Sequence, residues 1–323
     1  MRPPDIPNNG SRNAMKHNHI LRPSAGSLLH TLLIAALVLL TPALTHPVAA
    51  QQPAGESRFT TLKIAPHTNA RIHYVNYGKG SDAIVLIHGW TCNLDNWAAQ
   101  IPDFARRAHV VALDLPGHGE SDKPQIAYTM DLFAQAVSAV MKDAKVKRAV
   151  LVGHSMGTPV ARQFYRKFPE RTLAIVLVDG ALRQFANKTL MDRMIAGFRS
   201  PNYRDVVGQM FSSMLGPNLP ADAKERIKAS TANTPQHVLV SAMEGMADNA
   251  IWGIDKINVP VLAIMAKNPF YPPTLEAQMR EVAPNMEFQS WAGVGHFIMM
   301  ERPKEFNETV LAFLDKNQLV QKK

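Results

Sequence analysis

Three short stretches carry residue types that could do covalent chemistry together. Gly153-His154-Ser155-Met156-Gly157 sets a serine between two glycines. That G-x-S-x-G spacing lets a chain turn sharply and lift a hydroxyl clear of its surroundings. Gly293-Val294-Gly295-His296-Phe297 places a histidine in a glycine-flanked segment near the C-terminus. An imidazole there can fold back over a serine and take its proton as general base. His88-Gly89-Trp90 supplies a third piece. A tetrahedral intermediate needs two backbone N–H donors aimed at its oxygen. The Met156 amide, beside the nucleophile, and the Trp90 amide are the natural pair for that oxyanion hole. The Trp90 indole would then line the substrate mouth, and His88 would be a buried, hydrogen-bonded turn residue.

Such groups must stand at the ends of rigid elements, and the sequence provides them. Strand-like runs fall at 59–65, 71–77, 83–87, 109–113, 148–152, 174–178, 261–265 and 286–290. Several are short and apolar throughout, rich in Val and Ile. Helical stretches lie between them at 94–106, 129–143, 156–168, 274–283 and 303–316. Near-continuous apolar strands alternating with helices predict a mostly parallel eight-stranded sheet covered on both faces, an α/β fold. The serine motif follows the strand 148–152 directly and opens a helix. Pro159 fits the first turn of that helix, where its missing N–H costs nothing. Residues 183–255 break the rhythm. Met191, Ile195 and Phe198 fall at i, i+4 and i+7, and Met210/Met214 and Phe211/Leu215 are i, i+4 pairs. This predicts a helical cap inserted between two sheet strands, with a core of 58–182 and 256–318 and a linker at 51–57. The cap is rich in Met, with Phe185, Phe198, Phe211 and Trp252 beside them. Methionine is flexible and polarizable, so such a surface suits varied apolar substrates.

With these motifs in this order, the chain resembles an α/β-hydrolase fold serine hydrolase of the capped, esterase- and lipase-like branch. The likeness covers roughly residues 58–318 and rests on H-G-W, on D-L-P-G-H-G-E-S (114–121), on G-H-S-M-G and on G-V-G-H-F. It implies a catalytic Ser155 with His296 as base, and structural roles for Asp114 and His118. Family members usually carry the acid after the seventh strand, in a pattern like P-V-L-x-I-x-G-x-x-D. Here residues 260–271 read P-V-L-A-I-M-A-K-N-P-F-Y, so Pro269 holds the aspartate position and Ala266 replaces the glycine. The resemblance then points to Asp179, at the end of I-V-L-V-D-G, because some relatives place the acid after the sixth strand. The alternative is Asn268, which would orient a neutral imidazole. Asp248 and Asp255 precede the seventh strand, at the wrong end of the sheet.

Composition narrows the function further. The 323 residues hold 35 Lys+Arg against 26 Asp+Glu, a net charge of +9. The first fifty residues read as a signal peptide, with Met15 an alternative start. Lys16, His17, His19 and Arg22 precede a 13-residue run, Leu28–Leu40, apolar except for His30 and Thr31; Pro42, Pro47 and V-A-A follow. A bilayer-spanning helix needs about 20 apolar residues. Cleavage after Ala50 removes Arg2, Arg12, Lys16 and Arg22 against Asp5, leaving +6 with no basic block. No nucleic-acid partner is expected, and membrane contact is expected only through an uncleaved signal. The expected location is periplasmic or secreted. A single cysteine, Cys92, excludes an internal disulfide framework and a Cys-cluster zinc site. No metal or organic cofactor is implied. The expected enzyme is a carboxylic ester hydrolase acting on a small-to-medium apolar ester or lactone through an acyl-enzyme on Ser155. Alternatives are a C–C bond hydrolase or perhydrolase using the same residues, and a non-catalytic ligand-binding member of the fold.

Overall fold

A computed structural model describes residues 54–184, 187–269 and 271–320. The expected signal peptide and Phe185 lie outside the described residues. Eight strands form one sheet: β1 (Glu56–Ala65), β2 (Thr68–Tyr77), β3 (Asp82–Ile87), β4 (His109–Leu113), β5 (Arg148–His154), β6 (Thr172–Val178), β7 (Val261–Ala266) and β8 (Glu287–Trp291). Their spatial order is β1-β2-β4-β3-β5-β6-β7-β8. β2 runs antiparallel to both β1 and β4, and every other neighbouring pair is parallel. The central strands are buried along nearly their whole length, which is why they are written in Val, Ile, Leu and Ala rather than in alternation. Glu56 and Ser57 belong to β1 and not to a linker, because they pair with Asn76 and Val75. Their exposed, polar character is that of an edge strand, which hides the strand from a hydrophobic pattern.

Helices flank the sheet. α1 (Ile101–Arg107), α2 (Met130–Asp143) and α3 (Gly157–Lys167) come from the first half of the chain. Thr129 accepts the Leu132 N–H at the start of α2, and the helix buries Leu132, Phe133, Ala136, Val137 and Val140. The stretch 94–106 is two elements. Asn93 and Asn96 exchange capping hydrogen bonds around a 3-10 turn, Leu94–Trp97, and α1 starts afresh beside Pro102.

Between β6 and β7 the chain forms α4 (Lys188–Arg199), α5 (Tyr203–Met214), α6 (Ala221–Asn233) and α7 (Gln236–Ala247). Both stems of this insertion are tied to α3. Arg162, fully buried, donates to the carbonyls of Leu182 and Gly253, one from each stem. Arg166 adds a hydrogen bond to Asp255. The chain then completes the sheet and adds α8 (Leu275–Arg280), α9 (Ile298–Glu301) and α10 (Pro303–Lys316), the last packing against α1.

Register brings the strand ends together. Ile87 is level with Gly153, His154 with Val178, Val178 with Ile264, and Ala266 with Trp291. The loops after β3, β5, β6 and β8 therefore emerge along one edge, the carboxyl edge where open parallel sheets place their sites.

Candidate active site

Ser155 occupies the turn from β5 into α3 with φ 53, in the left-handed region. Its N–H donates to Val178 O at 2.9 Å, and its own carbonyl accepts the Thr158 N–H at 2.9 Å. A non-glycine residue held there costs about 1–3 kcal/mol, which the surrounding sheet must offset. The turn closes because Gly157 lies against β3, where a Cβ would come within 2.4 Å of Ile87 O. Gly89 closes it from the other side, where a Cβ would stand 3.1 Å from Ser155 Cβ. The H-G-W loop is thus pressed against the serine.

Two amides border this turn. Among the described residues neither the Met156 N–H nor the Trp90 N–H has a protein acceptor. Unpaired buried amides are uncommon, and a pair beside a strained serine is what an oxyanion hole requires. The Trp90 indole does not line an open mouth. It is 5% exposed, donates its N–H to Leu239 O of α7, packs 5.0 Å from Phe198 and stacks on Phe211. Its side chain anchors the cap.

His296 and Asp179 meet on the same edge. The His296 Nδ1–H donates to Asp179 Oδ2 at 2.5 Å. Asp179 is 1% exposed and its other oxygen accepts the Ala266 N–H at 2.8 Å. Its N–H donates to Ile264 O, and its carbonyl accepts the Tyr271 hydroxyl. Burial, with the nearby Asp179 charge, holds the Tyr271 phenol well above its usual range, so it stays a donor. With Nδ1 committed to a carboxylate, the tautomer leaves His296 Nε2 as the free base. At Nδ1 the partner is Asp179 and not the alternative Asn268. Ser155 Oγ makes no hydrogen bond among the described residues. In ligand-free sites the serine–histidine bond is often long and tightens on substrate.

The remaining polar residues of the sequence motifs are engaged elsewhere. His88 Nε2 accepts the Leu115 N–H and its Nδ1–H donates to Gly89 O, and burial lowers its pKa. Burial likewise pushes His118 down to about 3. Asp114 accepts the Leu94 and Glu120 amides and a His73 N–H. Asp248 caps the Ala250 N–H, and Asp255 is held at about 2, chiefly by Arg166.

Two groups escaped notice in the sequence. His154, the second residue of G-H-S-M-G, donates its Nε2–H to the His296 carbonyl at 2.9 Å, its ring 4.7 Å from that of His296. Burial keeps it neutral by lowering its pKa well below the usual value. Glu301 accepts the Gly295 N–H at 2.7 Å. A histidine inside a nucleophile motif and a glutamate in a run of apolar residues are faint signals, and neither names its partner.

The family model for the alpha/beta hydrolase fold matches residues 82–303. Among curated proteins, the chain is similar to the dihydrolipoyllysine-residue acetyltransferase component of an acetoin cleaving system. It is 28% identical to the Pseudomonas putida protein over 74% of this chain, and 34% to the Cupriavidus necator protein over 42%. It spans only 65% and 36% of those relatives' lengths. It is 26% identical to a 2-hydroxy-6-oxononadienedioate/2-hydroxy-6-oxononatrienedioate hydrolase of Paraburkholderia phymatum, over 85% of this chain and 99% of that one. Among solved structures it is similar to Est816, described as an N-acyl homoserine lactone degrading enzyme. The TM-score is 0.64 at 26% identity, covering 76% of this chain and 97% of that one.

Proposed function

The chain belongs to the alpha/beta hydrolase fold family, and from that premise we propose that it is a serine hydrolase of apolar carboxylic esters or lactones. Ser155 Oγ attacks the carbonyl while His296 Nε2 takes its proton, and the oxyanion rests on the Trp90 and Met156 amides. His296 then protonates the leaving oxygen. In an ester the alcohol departs; in a lactone it stays tethered to the acyl group. Water attacks the acyl-enzyme with His296 again as base, and the proton returns to Ser155. Asp179 stabilises the imidazolium at each stage.

The observation that carries this reading is Ser155 at φ 53 beside two amides that have no protein acceptor. The Met- and Phe-rich composition of the cap speaks for an apolar acyl group. The likeness to Est816 supports a lactone or ester. The likeness to the Paraburkholderia hydrolase gives a second reading, C–C bond cleavage on the same residues, which the apolar composition of the cap favours less for a dicarboxylate.

A fluorophosphonate probe, followed by peptide mapping, is expected to label Ser155 and no other serine. A series of p-nitrophenyl esters and acyl lactones then sets the acyl preference. Folded protein that left Ser155 unlabelled would remove the serine-hydrolase reading.

A further inference from the structure

The loop that carries His296 is bound to the cap as firmly as to the core. The His296 N–H donates to Met214 O, at the end of α5, at 2.9 Å. Asn218 Nδ2, in the connector between α5 and α6, donates to Gly293 O at 3.0 Å. The two backbones touch: a Cβ on Gly295 would lie 2.4 Å from Gly216 N and 2.7 Å from Met214 O. Glu301 sits at this junction, 8% exposed. Its Oε1 accepts the Gly295 N–H, and its Oε2 has no hydrogen-bond partner among the described residues. A Cβ on Gly216 would fall 2.1 Å from both carboxylate oxygens, so the group lies flat on the connector. One side chain thus holds an amide of the histidine loop while packing on the cap connector.

We infer that Glu301 is a positioning residue for His296, and that the cap connector 214–218 is part of the mount on which the general base stands. This rests on the serine-hydrolase reading above. The carboxylate holds Gly295, one residue before the base, and lies against Gly216, two residues beyond the carbonyl that receives the base's own N–H. The His296 main chain is then held by the cap at its amide and by His154 at its carbonyl. Burial raises the Glu301 carboxyl above its usual range, while the Gly295 N–H and the charges of Arg302 and Lys224 pull it back. The Gly295 amide is the one protein donor that answers the carboxyl in this place. The cap is coupled to proton transfer as well as to substrate binding.

The test compares Glu301→Leu, Glu301→Gln and Asn218→Ala in the full chain, with a short-chain p-nitrophenyl ester, and runs Ser155→Ala in parallel. Misplacing a catalytic group by about 1 Å costs on the order of 10²-fold. Glu301→Leu is therefore expected to lower kcat by about 10- to 100-fold with KM within about twofold. Glu301→Gln keeps an oxygen facing the Gly295 amide and is expected to restore most of kcat, which a loss through charge alone would not allow. Asn218 is exposed, and its alanine variant decides the matter if Glu301→Leu fails to fold. A fall in kcat at constant KM supports the coupling. Wild-type kcat in the folded variants, or a change confined to KM, overturns it. If Ser155→Ala itself retains full turnover, the fault lies with the serine-hydrolase reading and not with Glu301.

Discussion

Two serines in this chain stand before a histidine bonded to an aspartate. Ser57 Oγ lies 2.9 Å from His73 Nε2, and His73 Nδ1 lies 2.8 Å from Asp114 Oδ2. Ser155 has His296 and Asp179 on its edge of the sheet, but its Oγ makes no hydrogen bond among the described residues. By the chain of hydrogen bonds alone, Ser57 is the better triad. Everything around it points the other way. Ser57 sits within the β1–β2 ladder opposite Val75, with none of the elbow geometry of Ser155. Although burial opposes it, the hydrogen bond and charge of Asp114 raise the His73 pKa. When protonated, that imidazole donates from Nε2 and casts Ser57 as acceptor, the reverse of an activated nucleophile. Asp114 also caps the Leu94 and Glu120 amides, which makes this trio a brace between β1, β2 and the turn at 114–121. What separates the proposed nucleophile from the structural serine is the elbow turn with two amides that have no protein acceptor.

The largest effect should come from the serines themselves. Ser155→Ala is expected to lower ester turnover by about 10⁴-fold or more. Ser57→Ala should leave kcat and KM at wild-type values. The Ser155→Ala protein should also take up no fluorophosphonate. A mapped adduct on Ser57, or a tenfold loss in Ser57→Ala, would break the distinction.

The sequence carried one half of this distinction and not the other. Continuous apolar runs such as Ala83–Ile87 and Ala174–Val178 announce buried parallel strands, and motifs at their ends announce the elbow and the base. These are local signals. Edge residues such as Glu56 and Ser57 bury little and so carry no hydrophobic pattern, and their place in β1 depends on Asn76 and Val75. The contacts of Trp90 with Leu239, of His154 with His296 and of Met214 with His296 join residues far apart in the chain. No spacing rule encodes them, because the fold brings them together only after the sheet and cap are built. Asp179 lies between these cases: a carboxylate at a strand end is visible, but its bond to His296 needs the register of β6 and β8.

The aspartates should separate next, by what each loses. Asp179→Asn presents an amide to His296 and disturbs the tautomer, so kcat is expected to fall by about 10³- to 10⁴-fold with stability nearly intact. Asn268→Ala leaves the Asp179 bond to Nδ1 in place and should stay within about threefold of wild type. Asp114→Asn should do the opposite of Asp179→Asn. It places an amide N–H group among donors from Leu94, Glu120 and His73, at a cost of about 2–4 kcal/mol read by urea unfolding, while kcat stays near wild type. A fully active Asp179→Asn would return the acid's role to Asn268.

The finest test uses pH, because the brace has a sign that can be worked out. Burial works to raise the Asp114 pKa, but the His73 hydrogen bond and two amides lower it below the usual carboxylate range. A depressed carboxylate stabilises the fold above its unfolded pKa of about 4, and that stabilisation is lost as pH falls through the folded value. His73 is shifted upward, so its contribution is complete below about 6.5 and is lost as pH rises through its folded value. The pair therefore braces the fold best between about pH 4 and 6.5. The buried neutral histidines His88, His118 and His154 also tilt the stability curve, since each takes up a proton on unfolding as pH falls below about 6.5. They do so alike in both proteins, so their effect largely cancels when Asp114→Asn is subtracted from wild type. That difference in unfolding free energy is expected to be widest in the pH 4–6.5 window and to narrow on the alkaline side. A difference that stayed flat from pH 5 to 9 would mean that His73 does not hold an extra proton against Asp114, and the case for Ser57 as a mere acceptor would lose its footing.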